Sequence, residues 1–370
     1  MKIPLIKPYI DSSVKSKVLE VLDSGYLTEG PVTHTFEKEF SKYIGCEHSI
    51  AVTSCTTGLE IALRALNIGE GDEVIVPDYT YPATASVVSI VGAKPVIVDI
   101  DKETMLIDYN KVESAITNRT KAVIPVSLFG NPLDYDKLNK IKEKFKIHIV
   151  EDAACAAGAE YKGKKAGNWA DISVFSFHPR KFITTGEGGM VTTNNKVWAD
   201  WMNSYKHFGI KMGDAQREAV HFEMMGTNYK LSNLLSAIGL AQLEKIEDLL
   251  RIRIELSQNY FRLLKNVKGV SIPVTSVNGK HSYQSFCIFI ENRDEIMKSL
   301  RNMGIEVQIG TYSLHMHKAF QNDKSVRLRG SFENSIYAFN HCLVLPLFHD
   351  LTFDQQDFIV EQLKSLLVSY

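Results

Sequence analysis

A lysine and an aspartate 29 positions apart carry the chemistry this sequence can do. Lys181 lies in Phe175-Ser-Phe-His-Pro-Arg-Lys181, after an apolar, strand-like run. It precedes the small-residue turn Thr184-Thr-Gly-Glu-Gly-Gly189, which leads into a second strand-like run, Met190–Thr193. Upstream, Ile147-His-Ile-Val150 ends in Glu151-Asp152-Ala-Ala. A carboxylate at the end of one strand and a lysine beyond the next form the pair that pyridoxal-phosphate chemistry requires. The aspartate keeps the pyridine nitrogen protonated, and the lysine holds the aldehyde as a Schiff base. Desolvation would lower the lysine's pKa and make its amine nucleophilic. Asp152 also reads as a cap for Ala153–Ala157.

Other residue types fit the same crevice or have plainer roles. Ser54-Cys55-Thr56-Thr57-Gly58 follows a short buried strand, Ser49–Thr53, and precedes a helical face of Leu59, Ala62, Leu63 and Leu66. A strand, hydroxyl-rich turn and helix in that order present free N–H groups and a dipole to a phosphate. Thr56, Thr57 and Ser176 therefore read either as caps and turn residues or as phosphate ligands. Tyr81 is a core aromatic or a platform for a flat ring, and His178, three residues before Lys181, is structural or catalytic. His315-Met-His317 has no third ligand nearby in sequence, so no metal site is read. Gly186-Glu-Gly-Gly189 is not GxGxxG, and no GxxxxGK[ST] occurs, so dinucleotide and P-loop readings fail.

These residues need strands to place them. Helical spacing covers residues 12–24 and roughly 33–43, with a loop-like Tyr26–Pro31 between. Strand-like runs at 73–77, 94–99, 122–127 and 172–177 alternate with helices at 81–91, 108–116 and 133–145. Such alternation predicts a mostly parallel sheet covered on both faces, with ligands bound off the carboxyl ends of its strands. A long helical stretch, about Lys230 to Leu264, separates this block from a second one of mixed order. The expected division is a large domain over 1–245 and a smaller C-terminal α+β domain over 246–370.

Composition narrows the class. The 370 residues are 45% hydrophobic and 23% charged with a formal net charge of -1, and lysines and arginines nowhere stand apart from acidic neighbours. That argues against nucleic-acid binding through a basic face. Five cysteines without CxxC spacing suit a reducing compartment better than a disulfide framework or a zinc site. No run approaches a membrane span, so a soluble, cytoplasmic protein is expected.

Along essentially its whole length the chain resembles the DegT/StrS-type sugar-nucleotide aminotransferases of fold type I. The resemblance rests on landmarks in the family's order: Tyr26–Glu37, Gly71–Pro77, Glu151–Ala154, Ser176–Lys181, Gly226–Ser232, Ala237–Leu243 and Cys342–Leu347. It implies an α/β fold type I transferase, with a mostly parallel mixed sheet and a smaller α+β domain. It implies that Lys181 carries the cofactor and then shuttles a proton, that Asp152 pairs with the pyridinium, and that Tyr81 stacks on the ring. Thr56, Thr57 and Ser176 would bind the phosphate, and Asn228 or Lys230 would reach the phosphate of the other subunit in a homodimer. The substrate would be met by the loop bearing Tyr26 and Thr28, together with His178 and Glu187. One departure stands out: three residues after Asp152, where the family carries Gln, His or Glu near the cofactor's O3′, this chain has Cys155. A thiol is a weaker hydrogen-bonding group. A dehydratase subgroup replaces the lysine by histidine; Lys181 argues against that.

The implied reaction moves an amino group from L-glutamate, through pyridoxamine phosphate, to a keto group on a nucleotide-linked sugar. The Thr184–Gly189 turn looks like that of C4-aminating members rather than C3-aminating ones. The expected product is thus a 4-amino-6-deoxy sugar for O-antigen or other polysaccharide, glycan or antibiotic assembly. A C3-aminating enzyme, a transaminase of small keto acids, or a ligand-binding regulator on the same fold are the alternatives. Arg180, Arg217, Arg253, Arg327 and Arg329 are all open as the group that binds the donor carboxylate.

Overall fold

Short β-rich runs that are apolar on both faces have one stable solution, a sheet buried between two helical layers. The protein, described here from a computed structural model covering residues 2–210 and 220–369, adopts it. Eight strands form one sheet in the order 48–52, 189–193, 172–176, 148–152, 120–123, 73–77, 94–98 and 327–329. The strand Gly189–Thr193 pairs antiparallel with both its neighbours, and every other pairing in the sheet is parallel. Seven strands thus point the same way and open their carboxyl ends along one edge. The parallel pairing Glu151↔Ser173 and Asp152↔Val174 sets Asp152 one strand away from the segment that leads to Lys181.

The helix Cys55–Ala65 lies directly on this sheet because Gly58 has no side chain. A Cβ there would come within 2.5 Å of Val174 Cγ1. Gly189 serves the same approach from the sheet side, where a Cβ would meet the Ser54–Cys55 backbone at 2.6–2.7 Å. Backbone cannot step aside as a flexible side chain can. Gly189→Ala should therefore destabilise the fold by about 1–3 kcal/mol, read as a lowered midpoint in urea unfolding.

The segment after residue 245 builds a three-stranded antiparallel sheet from Phe286–Phe289, Cys342–Leu345 and Gln308–Ile309, backed by the helices Ile246–Leu264, Arg293–Asn302 and Phe353–Ser369. Their apolar faces make a core of their own, from Leu256 and Tyr260 to Ile359 and Leu363. The same segment also lends strands to the first block. Arg327–Arg329 forms the sheet's edge beside Lys94–Val98, and Tyr312–Ser313 pairs with Tyr79–Thr80.

Local expectations need three corrections. The helical stretch from Lys230 is two helices, Asn233–Leu243 and Ile246–Leu264, broken where Lys245 leaves helical geometry and pairs with Asp11 at the cap of the first helix. Thr56 and Thr57 lie inside the first turn of their helix, because Ser54 caps it. The helix expected from Tyr81 starts at Ala83, since Tyr79–Thr80 is drawn into pairing with Tyr312–Ser313. Among the described residues, no helix is long and apolar enough to cross a membrane.

Candidate active site

The site forms where the strands His148–Asp152 and Ile172–Ser176 end beside the start of the helix Cys55–Ala65. Asp152 is buried, and its carboxylate is held by specific donors. Thr84 Oγ1 donates to Oδ2 at 2.8 Å and the Ala154 amide to Oδ1 at 3.1 Å. Burial pushes the Asp152 carboxyl above its ordinary value, against the pull of Thr84, Ala154 and Lys181. Beneath it Glu151, fully buried, accepts from Ser127, Tyr135, Ser173 and the Gly167 amide, which fixes the strand end on which Asp152 sits.

Lys181 follows a tight turn in which its own amide donates to the His178 carbonyl at 2.8 Å. Its Nζ donates to Cys155 Sγ at 3.0 Å. The expectation of a lowered pKa is overturned. Burial does push the amine down, but Cys155, Cys55 and Asp152 around it outweigh that and leave it above its ordinary value. Sequence could not show this, because Cys55 and Cys155 reach the lysine only through the fold. The groups around Lys181 thus favour its charged form over what burial alone would give.

The phosphate end of the crevice is the N-terminus of Cys55–Ala65. Ser54 caps it, accepting from the Thr57 amide at 3.1 Å, and the Thr57 hydroxyl returns the bond to the Ser54 backbone. Thr57 Oγ1 is thus committed to a capping box. The first-turn amides of Cys55 and Thr56 are the groups such a helix offers to an anion. Ser176 sits at its strand end, half-buried, and its Oγ accepts from the His178 amide at 3.4 Å. Tyr81 is 65% exposed at the mouth, its ring centroid 6.3 Å from that of Tyr312. A buried carboxylate, an ammonium beside it, a helix N-terminus and an open aromatic face form a donor set that fits pyridoxal phosphate.

The remaining sequence candidates lie around this centre. His178 and Glu187 are exposed on the turns flanking Lys181. Lys230 Nζ donates to Asn228 Oδ1 at 2.7 Å and lies over the Phe208 ring, so these two form one cluster in which Asn228 is exposed and Lys230 half-buried. Tyr26 and Thr28 are exposed on a loop tied to Asn233, whose side chain donates to the Tyr26 carbonyl and whose amide donates to Leu27 and Thr28. Of the arginines, Arg253 is buried and donates to the Tyr283 and Gln284 carbonyls, and Arg327 is paired with Glu73. Arg329 is exposed on the edge strand, and Arg217 lies outside the described residues. Arg180, exposed beside Lys181, donates to Gln308 Oε1 at 3.2 Å.

Sequence reasoning missed Thr84, Cys55 and Lys206. Thr84 had a readable signal, lying three residues after Tyr81 in the first turn of the helix Ala83–Ile90. Lys206 had none. It is 2% exposed, and its Nζ lies 3.0 Å from both Glu29 and Glu37 and 3.2 Å from the Ala51 carbonyl. Glu29 belongs to the Tyr26–Pro31 loop, so this buried triad ties the loop to the sheet. Thr84→Val removes a hydrogen bond to a charged acceptor, a loss of about 1.5 kcal/mol, or roughly tenfold. It should raise the Asp152 pKa further and weaken cofactor binding by that factor, read by absorption titration of the cofactor.

With that geometry in view, the likeness to known proteins is specific. Residues 8–364 match the sequence model of the DegT/DnrJ/EryC1/StrS aminotransferase family. The spore coat polysaccharide biosynthesis protein SpsC of Bacillus subtilis is 32% identical over 99% of this chain and 97% of its own. Among solved structures, DesV of S. venezuelae, in complex with a ketimine intermediate, is 31% identical. It covers 99% of this chain and 98% of its own, with a TM-score of 0.91. Spr1654 of Streptococcus pneumoniae, named a putative sugar aminotransferase and solved in its PMP form, is 29% identical over the full length of both chains, with a TM-score of 0.92.

Proposed function

The chain belongs to the DegT/DnrJ/EryC1/StrS aminotransferase family and is a pyridoxal-phosphate-dependent sugar aminotransferase, and from that premise we propose that it aminates the C4 keto group of a nucleotide-linked 4-keto-6-deoxyhexose, with L-glutamate as donor. The observation that carries the reaction class is Lys181 itself, held in the crevice with Asp152 and Cys155 around its amine. The C4 assignment rests on the Thr184–Gly189 turn. A role in polysaccharide assembly is supported by the name of the SpsC relative.

The cofactor, when bound, supplies an aldehyde that takes up the amino group and a ring that accepts an electron pair. The residues do the rest. Asp152, buried and held by Thr84, keeps a proton on the ring nitrogen. Lys181 carries a proton away from the donor's α-carbon and returns one to the acceptor's carbon. The amides at the start of Cys55–Ala65, with Thr56 and Ser176, hold the phosphate. Tyr81 covers one face of the ring. Arg180, an exposed guanidinium beside the lysine, binds the donor carboxylate by a bidentate contact. The protein works as a cytoplasmic homodimer in which Asn228 and Lys230 reach the partner's phosphate, and Tyr26, Thr28, His178 and Glu187 meet the sugar nucleotide.

The test is an absorption titration of the purified protein loaded with cofactor. L-Glutamate should bleach the visible band, and one of a panel of UDP-, GDP- and dTDP-linked 4-keto-6-deoxyhexoses should restore it. Restoration by a small keto acid alone, with no binding of nucleotide sugars, would replace this reading with that of an ordinary keto-acid transaminase. Restoration only by a 3-keto sugar nucleotide would overturn the C4 assignment.

A further inference from the structure

A thiol touching the reactive amine has consequences beyond transamination. Cys155 Sγ is 3.0 Å from Lys181 Nζ, and both residues are half-buried rather than sealed from solvent. The second thiol in the cluster is disposed differently. Cys55 Sγ is directed at the Val174 carbonyl, 3.6 Å away, and at Asp152 Oδ1, 3.9 Å away. Burial and the neighbouring Asp152 charge also keep the Cys55 thiol well above the usual thiol range, which leaves it inert. Cys46 contacts Ser41, His48 and Ser49, and Cys287 and Cys342 are buried in apolar cores. Cys155 is the described cysteine that has an amine at contact distance.

We propose that Cys155 and Lys181 are a modification site, joined by a reversible sulfur–nitrogen bond when a peroxide oxidises the thiol. The step balances in two stages. Peroxide transfers one oxygen to the Cys155 sulfur, its O–O bond breaks, and sulfenic acid and water are formed. Lys181, after releasing one ammonium proton to water, attacks that sulfur. The S–O bond breaks, the S–N bond forms, and the hydroxyl leaves as a second water with a proton from the amine. Sulfur is oxidised and peroxide reduced, with no other reagent. The Lys181 nitrogen, 3.0 Å from the sulfur, is already in place to trap the sulfenic acid before further oxidation.

The bond needs a free lysine, so this inference rests in part on Lys181 being the cofactor lysine. The enzyme loaded with pyridoxal phosphate should be protected. The same enzyme treated with L-glutamate, which converts the cofactor to its amine form and frees Lys181, should be sensitive.

Both samples are exposed to hydrogen peroxide, denatured, alkylated without reductant, digested and mapped by mass spectrometry. The expected result is a cross-linked peptide pair carrying Cys155 and Lys181, lighter by two hydrogens than the separate peptides. It should be abundant with glutamate, scarce without it, cleaved by dithiothreitol and missing in Cys155→Ser. A cross-link formed equally in both samples upholds the bond and counts against Lys181 as the cofactor lysine. Recovery of Cys155 as sulfinic acid, or as a disulfide with Cys55, with Lys181 unmodified in both samples, overturns the proposal.

Discussion

Lys181→Met will reduce turnover by about 10^4-fold, because in the proposed mechanism the lysine both anchors the cofactor and moves the protons of each half-reaction. Methionine matches the length of the stem, so packing beside Phe182 and the Thr184–Gly189 turn should survive and the unfolding midpoint should stay close to that of the parent. Added cofactor should still bind through the helix N-terminus at Cys55–Thr56 and through Asp152, but its spectrum should match that of the free aldehyde. The checks are single-turnover kinetics with L-glutamate and the absorption spectrum of the loaded variant. Turnover within tenfold of the parent would remove Lys181 from the mechanism.

Lys206→Met will strongly destabilise the fold. The variant leaves the Glu29 and Glu37 carboxylates facing each other in the interior, where losing one partner of a buried ionic cluster costs about 3–5 kcal/mol. Burial opposes the charged form of Lys206, but Glu37 and Glu29 outweigh it and raise its pKa above the ordinary lysine value. Glu37 lies below the ordinary carboxyl value, since Lys206, His34 and the Ala51 amide outweigh its burial. The raised Lys206 contributes stability that is complete below about pH 10.4 and lost as pH rises through its folded value. The depressed Glu37 contributes stability that is present above about pH 4.3 and lost as pH falls through its folded value. The deficit of Lys206→Met relative to the parent should therefore be full at pH 7 and shrink below about pH 4, as urea unfolding across pH will show. Because Glu29 anchors the Tyr26–Pro31 loop, KM for the sugar nucleotide should rise more than KM for glutamate.

Much of this architecture could be read directly from the residues. Alternating apolar runs such as Glu73–Pro77 and Lys94–Val98 have little freedom to be anything but buried parallel strands, and the helix at Ser12–Ser24 ends where Gly25 permits a left-handed turn. The Asp152 strand and the run leading to Lys181 were legible for the same reason, since each is a local pattern that ends in an unusual residue. What failed were boundaries set at a distance. The break at Lys245 depends on Asp11, and the start of the helix at Ala83 depends on Tyr312 and Ser313, partners more than 200 residues away in sequence.

Residue types and their order pointed to pyridoxal-phosphate chemistry, through a carboxylate at one strand end, a lysine beyond the next and a hydroxyl-rich helix start, and the resemblance to a known family supplied the reaction class. Only the tertiary structure decided the electrostatics of that lysine. Its pKa is the sum of a burial penalty and the pull of the groups around it, and the fold brings Cys55 from a distant segment to join Asp152 and Cys155 there. The same is true of Lys206, which in sequence is one lysine among many. It becomes a structural anchor only when the fold removes it from water and places Glu29 and Glu37 on either side.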